Sequence, residues 1–359
     1  MSKKQFSSLL VVTLVIAAML VLIPDKTGND DAFEVRPLVP GLEDWVNNVN
    51  RVSLVKGGSQ TVATLVRNDK TWVMEEANSY PANWETLRGL LASLAQAQVI
   101  EPKTTNEAYY DRLGLVDVAQ DSSEAILVEL DSGDQQFRIL VGNPAQGREG
   151  HYVRVDGDEQ ALLVDQVLTV KSETSDWLQR DIVDISESEV VEVRIIHDDG
   201  EEIVLEKKSA DDQDFVLLNL PDEREIQSKW TINSIGGSLS MLQLEETDLA
   251  DNIDWSGASK LQFLTADGLQ LSLELTSIEE QSWIKLQASA HQSSNDSAAS
   301  DSPEDNADSI ELSAENDLSQ RVEDINRRVD GWAYVIPQNK AQNMSKTMEE
   351  ILKPLPDSE

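Results

Sequence analysis

The sequence contains no cysteine in 359 residues. This absence excludes disulfide bonds, thiolate nucleophiles and cysteine-based zinc or iron–sulfur sites. It also excludes a lipoprotein anchor, which requires a cysteine after the signal segment. Histidine is almost as scarce, with only His151, His197 and His291 present. Each lies in a polar stretch without a spaced partner, which favours surface histidines over metal ligands or catalytic bases.

Basic residues are few as well, with 29 lysines and arginines against 66 acidic residues and a net charge of −37. Such an excess keeps a protein soluble and repels both nucleic acid and anionic lipid headgroups. We therefore expect no nucleic-acid partner. The charge predicts a well-solvated surface, and the alternative is capture of cations or of a basic partner.

The N-terminal part holds one long apolar run, residues 6–23, which carries no charge. Eighteen helical residues span about 27 Å, close to the thickness of a bilayer core. Lys3 and Lys4 precede the run and acidic residues follow it, so the positive-inside rule predicts a cytoplasmic N-terminus. A cleaved signal peptide is the alternative, but no small-x-small site follows the run. We expect a single-pass protein of a bacterial inner membrane, with its bulk in the periplasm.

Beyond this helix the pattern predicts an α+β fold, in which two tandem copies of an antiparallel-sheet-plus-helix unit follow each other. The first copy has hairpins turning at 56–59 and 131–134, and a helix capped by Asn83. The second lies about 140 residues downstream, with hairpins turning at 198–200 and 266–268. The helical stripes are Leu87, Leu90, Leu91 and Leu94 in the first copy and Ile232, Ile235, Leu239 and Leu242 in the second. Gly236-Gly237 in the second stripe predicts either a helix break or a close approach of another backbone.

A change in composition separates the predicted segments. Residues 291–309 read HQSSNDSAASDSPEDNADS and contain almost nothing apolar, which predicts disorder. A strand at 331–336 and a closing helix at 344–352 are expected after it. The predicted boundaries are 1–24 for the cytoplasmic tip and transmembrane anchor, 25–40 for a polar tether, 41–185 for the first unit, 186–286 for the second unit, 287–320 for the acidic disordered insertion and 321–359 for completion of the second unit.

None of the motifs points to catalysis. The segment Asp156-Gly157-Asp158-Glu159 faintly resembles a calcium loop but lacks its alternating ligands, so a strand turn is favoured. Gly57-Gly58 lacks the lysine and hydroxyl residue of a phosphate loop, and no nucleophile elbow or paired-histidine zinc motif occurs. The tryptophans at 72, 177, 283 and 332 lie in or beside apolar segments and are assigned to the core. We predict no catalytic, cofactor-binding or metal-binding residues, and therefore no enzyme.

Several short motifs occur in a recognisable order. They are Val52-Ser-Leu-Val-Lys-Gly-Gly58, Trp72-Val-Met-Glu-Glu76, Tyr80-Pro-Ala82, Tyr110-Asp-Arg-Leu-Gly-Leu115, Gly150-His-Tyr-Val-Arg154 and Asp176-Trp-Leu-Gln-Arg180. In this order they resemble the bacterial domain of unknown function 4340 family, most clearly over residues 52–185. The resemblance implies no assigned activity. It also implies association with export-type ABC transporters and with a gliding-motility-type extracytoplasmic auxiliary subunit.

The function expected from these features is that of a non-enzymatic, extracytoplasmic auxiliary subunit of an ABC-type transport system. Its partners would be the membrane and a transporter permease or auxiliary subunit. One alternative is a free-standing envelope protein that binds polysaccharide or peptide, which an exposed aromatic groove would favour. Another is an acid-dependent hydrolase, which a cleft holding two carboxylates of raised pKa would favour.

Overall fold

The computed structural model describes residues 33–209, 212–291 and 307–354. Within these ranges the fold is mostly antiparallel β-sheet with a few helices. The apolar run expected to form a membrane anchor, residues 6–23, lies outside the described ranges. No helix within them is long and apolar enough to cross a membrane.

The first half of the chain forms a 10-stranded sheet. Its elements are β1 (Arg36–Pro37), α1 (Leu42–Trp45), β2 (Arg51–Lys56), β3 (Gln60–Asn68), β4 (Thr71–Met74), β5 (Tyr80–Pro81), α2 (Trp84–Gln96), β6 (Gln98–Pro102), α3 (Tyr110–Leu113), β7 (Ile126–Asp131), β8 (Gln136–Pro144), β9 (His151–Val155) and β10 (Ala161–Val164). The strand order is β1-β6-β10-β9-β8-β7-β2-β3-β4-β5, and every pairing is antiparallel.

The second half forms an 8-stranded sheet and a separate 2-stranded sheet. Its elements are β11 (Asp181–Val183), β12 (Val190–Ile196), β13 (Glu202–Glu206), β14 (Val216–Leu217), α4 (Lys229–Gly236), β15 (Leu242–Gln243), β16 (Glu246–Leu249), β17 (Ser259–Thr265), β18 (Leu269–Ile278), β19 (Gln281–Ala290), α5 (Ala307–Val329), β20 (Trp332–Val335), α6 (Gln338–Met344) and α7 (Met348–Ile351). The order in the large sheet is β14-β13-β12-β17-β18-β19-β20-β16, while β11 pairs with β15.

Helix α2 forms where its cap and its apolar stripe predict. The side chain of Asn83 accepts a hydrogen bond from the amide of Thr86, which satisfies one of the free N–H groups of the first turn. The four leucines of the stripe are at most 6% exposed. Their burial against one face of the first sheet supplies the main stabilisation of the helix, since amphipathic helices depend on packing more than on intrinsic propensity.

The two halves share one continuous hydrophobic core. At the junction Tyr80 of β5 lies edge-on to Trp332 and Tyr334 of β20, with ring centroids 4.8 and 6.1 Å away. The hydroxyl of Tyr80 donates a hydrogen bond to the carbonyl of Gln179 at 3.1 Å. Burial at this junction raises the pKa of Tyr80 to about 12. The junction therefore holds the two sheets in one fixed arrangement.

The prediction of a disordered insertion at 287–320 is wrong at both ends of that range. Residues 287–290 belong to β19, and residues 307–320 belong to helix α5. Order at the C-terminal end comes from apolar side chains spaced for one helix face: Leu318, Val322, Ile325 and Val329 all pack on the core. The middle of the predicted tract, residues 292–306, lies outside the described residues.

Two predicted helices are shorter than expected. The closing helix at 344–352 is reduced to α7, because α6 ends at Met344 and residues 345–347 separate the two helices. Thr347 and Glu350 form a capping box at the start of α7. The stripe at 232–242 is helical only to Gly236, continues as a 3-10 turn to Leu239 and ends in β15. A Cβ on Gly236 would lie 2.2 Å from the ring of Phe215, so both a break and a close approach occur there, the latter to a side chain.

The predicted tether at 25–40 overlaps the fold at its C-terminal end. Arg36 and Pro37 pair with Val99 and Gln98 of β6. Leu38 and Val39 follow and are only 2% and 5% exposed. These apolar residues join the core, so the chain is already packed against the first sheet at residue 36.

Candidate functional site

Two of the quoted motifs, Tyr110–Leu115 and Gly150–Arg154, meet on the face of the first sheet opposite helix α2. Tyr110 and Leu115 are buried there together with Leu127 and Leu140 in a second, smaller core. The segment between β6 and β7 therefore covers this face and brings its side chains against β9. Separate positions in the sequence become a single site.

Backbone geometry holds the covering segment close to the sheet. The side chain of Asn106 accepts a hydrogen bond from the amide of Ala108, which starts a helical turn. Helix α3 ends at Gly114 in the left-handed conformation, with φ of 66°. A Cβ on Gly142 of β8 would lie 2.3 Å from the carbonyl oxygen of Leu113. This close contact between two backbones requires glycine at position 142.

Arg154 of β9 lies at the centre of this arrangement. Its side chain is 8% exposed, and its guanidinium lies 4.8 Å from the centre of the Tyr110 ring. Nη1 donates to the carbonyl of Asp158 at 3.0 Å and Nη2 donates to the carbonyl of Leu115 at 3.4 Å, while the buried Nε has no partner among the described residues. Within the described part of the chain no carboxylate forms an ion pair with Arg154.

Arg154 lines a surface pocket of about 650 Å³. Five acidic residues share the lining, namely Glu107, Asp117, Asp156, Asp158 and Glu159. Asp156 is paired with Arg138 at 3.1 Å. Burial raises the pKa of Tyr110 in the wall, which keeps its hydroxyl protonated as a donor to the Glu159 carbonyl. The pocket thus has a carboxylate rim and a cationic floor, and we call it the Arg154 pocket.

The second half carries a related arrangement. The ammonium of Lys285 on β19 lies 4.6 Å from the centre of the Trp255 ring and 3.3 Å from a carboxylate oxygen of Glu274. The indole of Trp255 donates to the carbonyl of Ala250 at 2.8 Å. In both halves a cation on the sheet therefore lies over an aromatic ring of the segment that covers that face.

Lys285 also borders a groove of about 640 Å³ at the end of helix α5. Its lining includes Gln262, Ser272, Gln287, Asn326 and Trp332. Register places Gln262, Ser272 and Gln287 side by side across three strands. The groove therefore offers a row of hydrogen-bonding side chains beside one partly exposed indole.

Two of the three histidines depart from the expected surface position. His151 is 8% exposed, and its Nδ1 accepts a hydrogen bond from the amide of Leu168 at 3.1 Å, so a surface position is wrong for it. The side chain of His197 is also mostly buried, with Nε2 3.0 Å from the carbonyl oxygen of Lys346. His291 is exposed. Burial lowers the pKa of His151, because a charged imidazole loses hydration there.

Other interpretations of the sequence are confirmed. Asp156–Glu159 forms a strand turn, with Gly157 at φ of 81°. Trp72, Trp177 and Trp283 are buried, whereas Trp332 is only partly so.

Reasoning from the sequence did not identify Arg154 and Tyr110 as neighbours. The two residues are 44 positions apart, and neither lies in a pattern that marks a binding site. Their shared presence in the motifs that carry the family resemblance was the available signal.

Comparison with known proteins gives one match. The family model described as a domain of unknown function, DUF4340, matches residues 72–251. This stretch begins later than the 52–185 region of clearest resemblance and extends well into the second half. It includes Tyr110, Arg154 and the whole Arg154 pocket. No curated protein and no solved structure matches the chain.

Proposed function

Because this chain belongs to the domain of unknown function 4340 family, we propose that it is a non-enzymatic auxiliary subunit of an ABC-type transport system, acting outside the cytoplasm. The family resemblance implies that members of the family associate with ABC transporters. The net charge of −37 suits a solvated extracytoplasmic body.

The Arg154 pocket is the observation that carries this proposal. A buried guanidinium with an unpartnered nitrogen is costly unless an acceptor reaches it. The pocket is open to the surface and Arg154 lines it, and each terminal nitrogen of Arg154 uses only one of its two N–H groups, so a polar group from another molecule can bind there. Recognition of a partner uses such preformed polar recesses without any covalent chemistry.

Tandem duplication is part of the proposal. In the first sheet eight neighbouring strands run in the order β4-β3-β2-β7-β8-β9-β10-β6, and in the second they run β14-β13-β12-β17-β18-β19-β20-β16. Each strand number in the second order exceeds its counterpart by ten. In the two cation–ring pairs, Arg154 and Lys285 fall on the corresponding strands β9 and β19, and the rings of Tyr110 and Trp255 lie in the segments before β7 and β17. These correspondences support two copies of one unit.

We also propose that the chain is anchored in the membrane. The apolar run at 6–23 and the preceding lysines support this anchor. Alkaline carbonate washing should leave the intact chain in the membrane pellet. A released product that starts near Asp25 would instead identify a cleaved signal peptide.

In-cell crosslinking tests the partner. A photoreactive residue would replace Glu107 at the Arg154 pocket, and a matched one would replace the exposed Glu206 on β13. We expect capture of a transporter permease or auxiliary subunit from position 107, identified by mass spectrometry. If position 107 captures nothing while a chain lacking residues 1–25 restores a deletion phenotype, the proposal is wrong.

Polysaccharide binding is a second candidate, and the groove beside Trp332 favours it. Aligned amide and hydroxyl side chains next to a partly exposed indole can hydrogen-bond and stack against a sugar. Glycan-array binding that is lost in Trp332→Ala but kept in Trp84→Ala, which removes an exposed indole elsewhere, would support this candidate.

A further inference from the structure

We propose that the Arg154 pocket receives a basic side chain of a peptide segment, with the segment's backbone carbonyl bound to Arg154 and its cation held by the carboxylate rim. This inference rests on the proposed partner-binding function and names the chemistry of the partner at that site.

The floor of the pocket calls for a hydrogen-bond acceptor. A guanidinium has five N–H donors. Arg154 makes two hydrogen bonds, one of them long at 3.4 Å, and no described residue bonds its buried Nε. No ion pair within the described ranges neutralises its charge. Nη1 and Nη2 each use one of their two N–H groups, so a carbonyl oxygen from outside can accept from a terminal nitrogen rather than from the inaccessible Nε.

The rim decides which acceptor can approach. Five carboxylates line the pocket against one arginine, and among the described residues a cation pairs only with Asp156. Glu107 and Glu159 are exposed and extend toward solvent. A carboxylate or phosphate ligand would meet this negative rim before it reached Arg154, so anions are disfavoured. A neutral carbonyl that carries a cation nearby satisfies both the floor and the rim.

A peptide segment with lysine or arginine combines these groups at the right scale. Its carbonyl is neutral, its side chain places a cation several ångströms away, and a volume of about 650 Å³ is large enough for a few residues. If both proteins are anchored in the same membrane, the effective concentration of the partner is high. A weak contact between a peptide segment of the partner and the pocket would then be sufficient.

The test uses the 359-residue chain in neutral detergent and two probes, acetyl-Gly-Lys-Gly-amide and its glutamine counterpart, with affinity measured by titration calorimetry. We expect the lysine probe to bind at least about fivefold more tightly, with an affinity that falls as salt rises. The double variant Glu107→Gln/Glu159→Gln should weaken lysine-probe binding by a similar factor. The matched variant Glu206→Gln/Glu323→Gln removes two exposed carboxylates elsewhere and should leave the affinity unchanged.

The variant Arg154→Lys distinguishes the contribution of Arg154 to binding from that of the rim carboxylates. It keeps the charge but loses the planar fork, so both probes should weaken together while the preference for lysine persists. A thermal melt of each variant confirms that it is folded before binding is compared. Equal affinity for both probes, or no change in the rim double variant, would overturn the inference. In that case the proposed transporter association would still be supported if transporter subunits were crosslinked from another surface of this protein.

Discussion

Gly142 and Gly89 differ in the space that a larger side chain would find around them. A Cβ on Gly142 would lie 2.3 Å from a backbone oxygen, whereas one on Gly89, in the middle of α2, would meet nothing within 4 Å. Gly142 therefore permits a close backbone contact between β8 and the end of helix α3. Gly89 only adds flexibility to a helix.

We expect Gly142→Ala to destabilise the fold by about 1–3 kcal/mol through overpacking. Gly89→Ala should stabilise it by up to about 1 kcal/mol, because alanine loses less entropy in a helix. Urea denaturation of both variants measures the difference. If the two shifts had the same sign, the close approach at position 142 would be disproved.

His151 should contribute to the pH dependence of stability. Its pKa is lowered by burial, so its contribution is present above the unfolded value of about 6.5 and is lost as pH falls through the folded value. His151→Asn keeps an acceptor for the Leu168 amide but does not titrate. Between pH 7.5 and 5.5 the variant should lose less stability than the parent, by up to about 1.4 kcal/mol per unit of pKa shift. Parallel profiles would show that His151 is not responsible.

At the scale of elements, helix α5 acts as a cover for the free edge of β19. β20 pairs with β19 only at Trp283 and Ile284, which leaves the later residues of that edge without a strand partner. Asn326 replaces one: its side chain donates to the carbonyl of Ala288 at 2.9 Å and accepts from the amide of Ala288 at 2.8 Å. The helix thus satisfies buried backbone groups that a strand would otherwise satisfy.

Asn326→Leu should therefore cost about 1–3 kcal/mol for each of the two backbone groups left unpaired. The matched variant Glu323→Gln, on the exposed face of α5, should change stability by less than about 0.5 kcal/mol. Chemical denaturation gives both values, and hydrogen exchange at the Ala288 amide should speed up only in Asn326→Leu. An unchanged exchange rate would contradict the covering role.

For the whole molecule the dominant property is charge. A net charge of −37 destabilises the compact state by self-repulsion. Exposed ion pairs such as Arg51 with Glu75, 2.7 Å apart, contribute only about 0–1 kcal/mol each. Repulsion should therefore outweigh them, and added salt should stabilise the fold.

We expect the melting temperature at pH 7.5 to rise as sodium chloride increases from about 0.05 to 0.5 M, because the screening length shortens severalfold. The same series near pH 4.2, where the net charge is close to zero, should show a much smaller rise. A fall in melting temperature at pH 7.5 would mean that attractive ion pairs dominate.

Local patterns determined much of this fold. The cap at Asn83, the leucine stripe of α2 and the glycine-bearing hairpin turns are decided by residues within a few positions of one another, so the sequence alone predicts them. The order of hairpins and helices along the chain was readable for the same reason. Composition alone misjudged α5, since a stretch poor in apolar residues still holds a helix when its few apolar side chains share one face.

Only the tertiary structure decided the site. Arg154 and Tyr110 become neighbours because the segment between β6 and β7 folds across the sheet, a long-range event without a local signature. Burial of His151, the edge-on contact of Tyr80 with Trp332, and the replacement of a strand by Asn326 depend likewise on chain segments distant in sequence. Periodicity tells which face of an element is buried, whereas the identity of what covers it is settled by packing between elements.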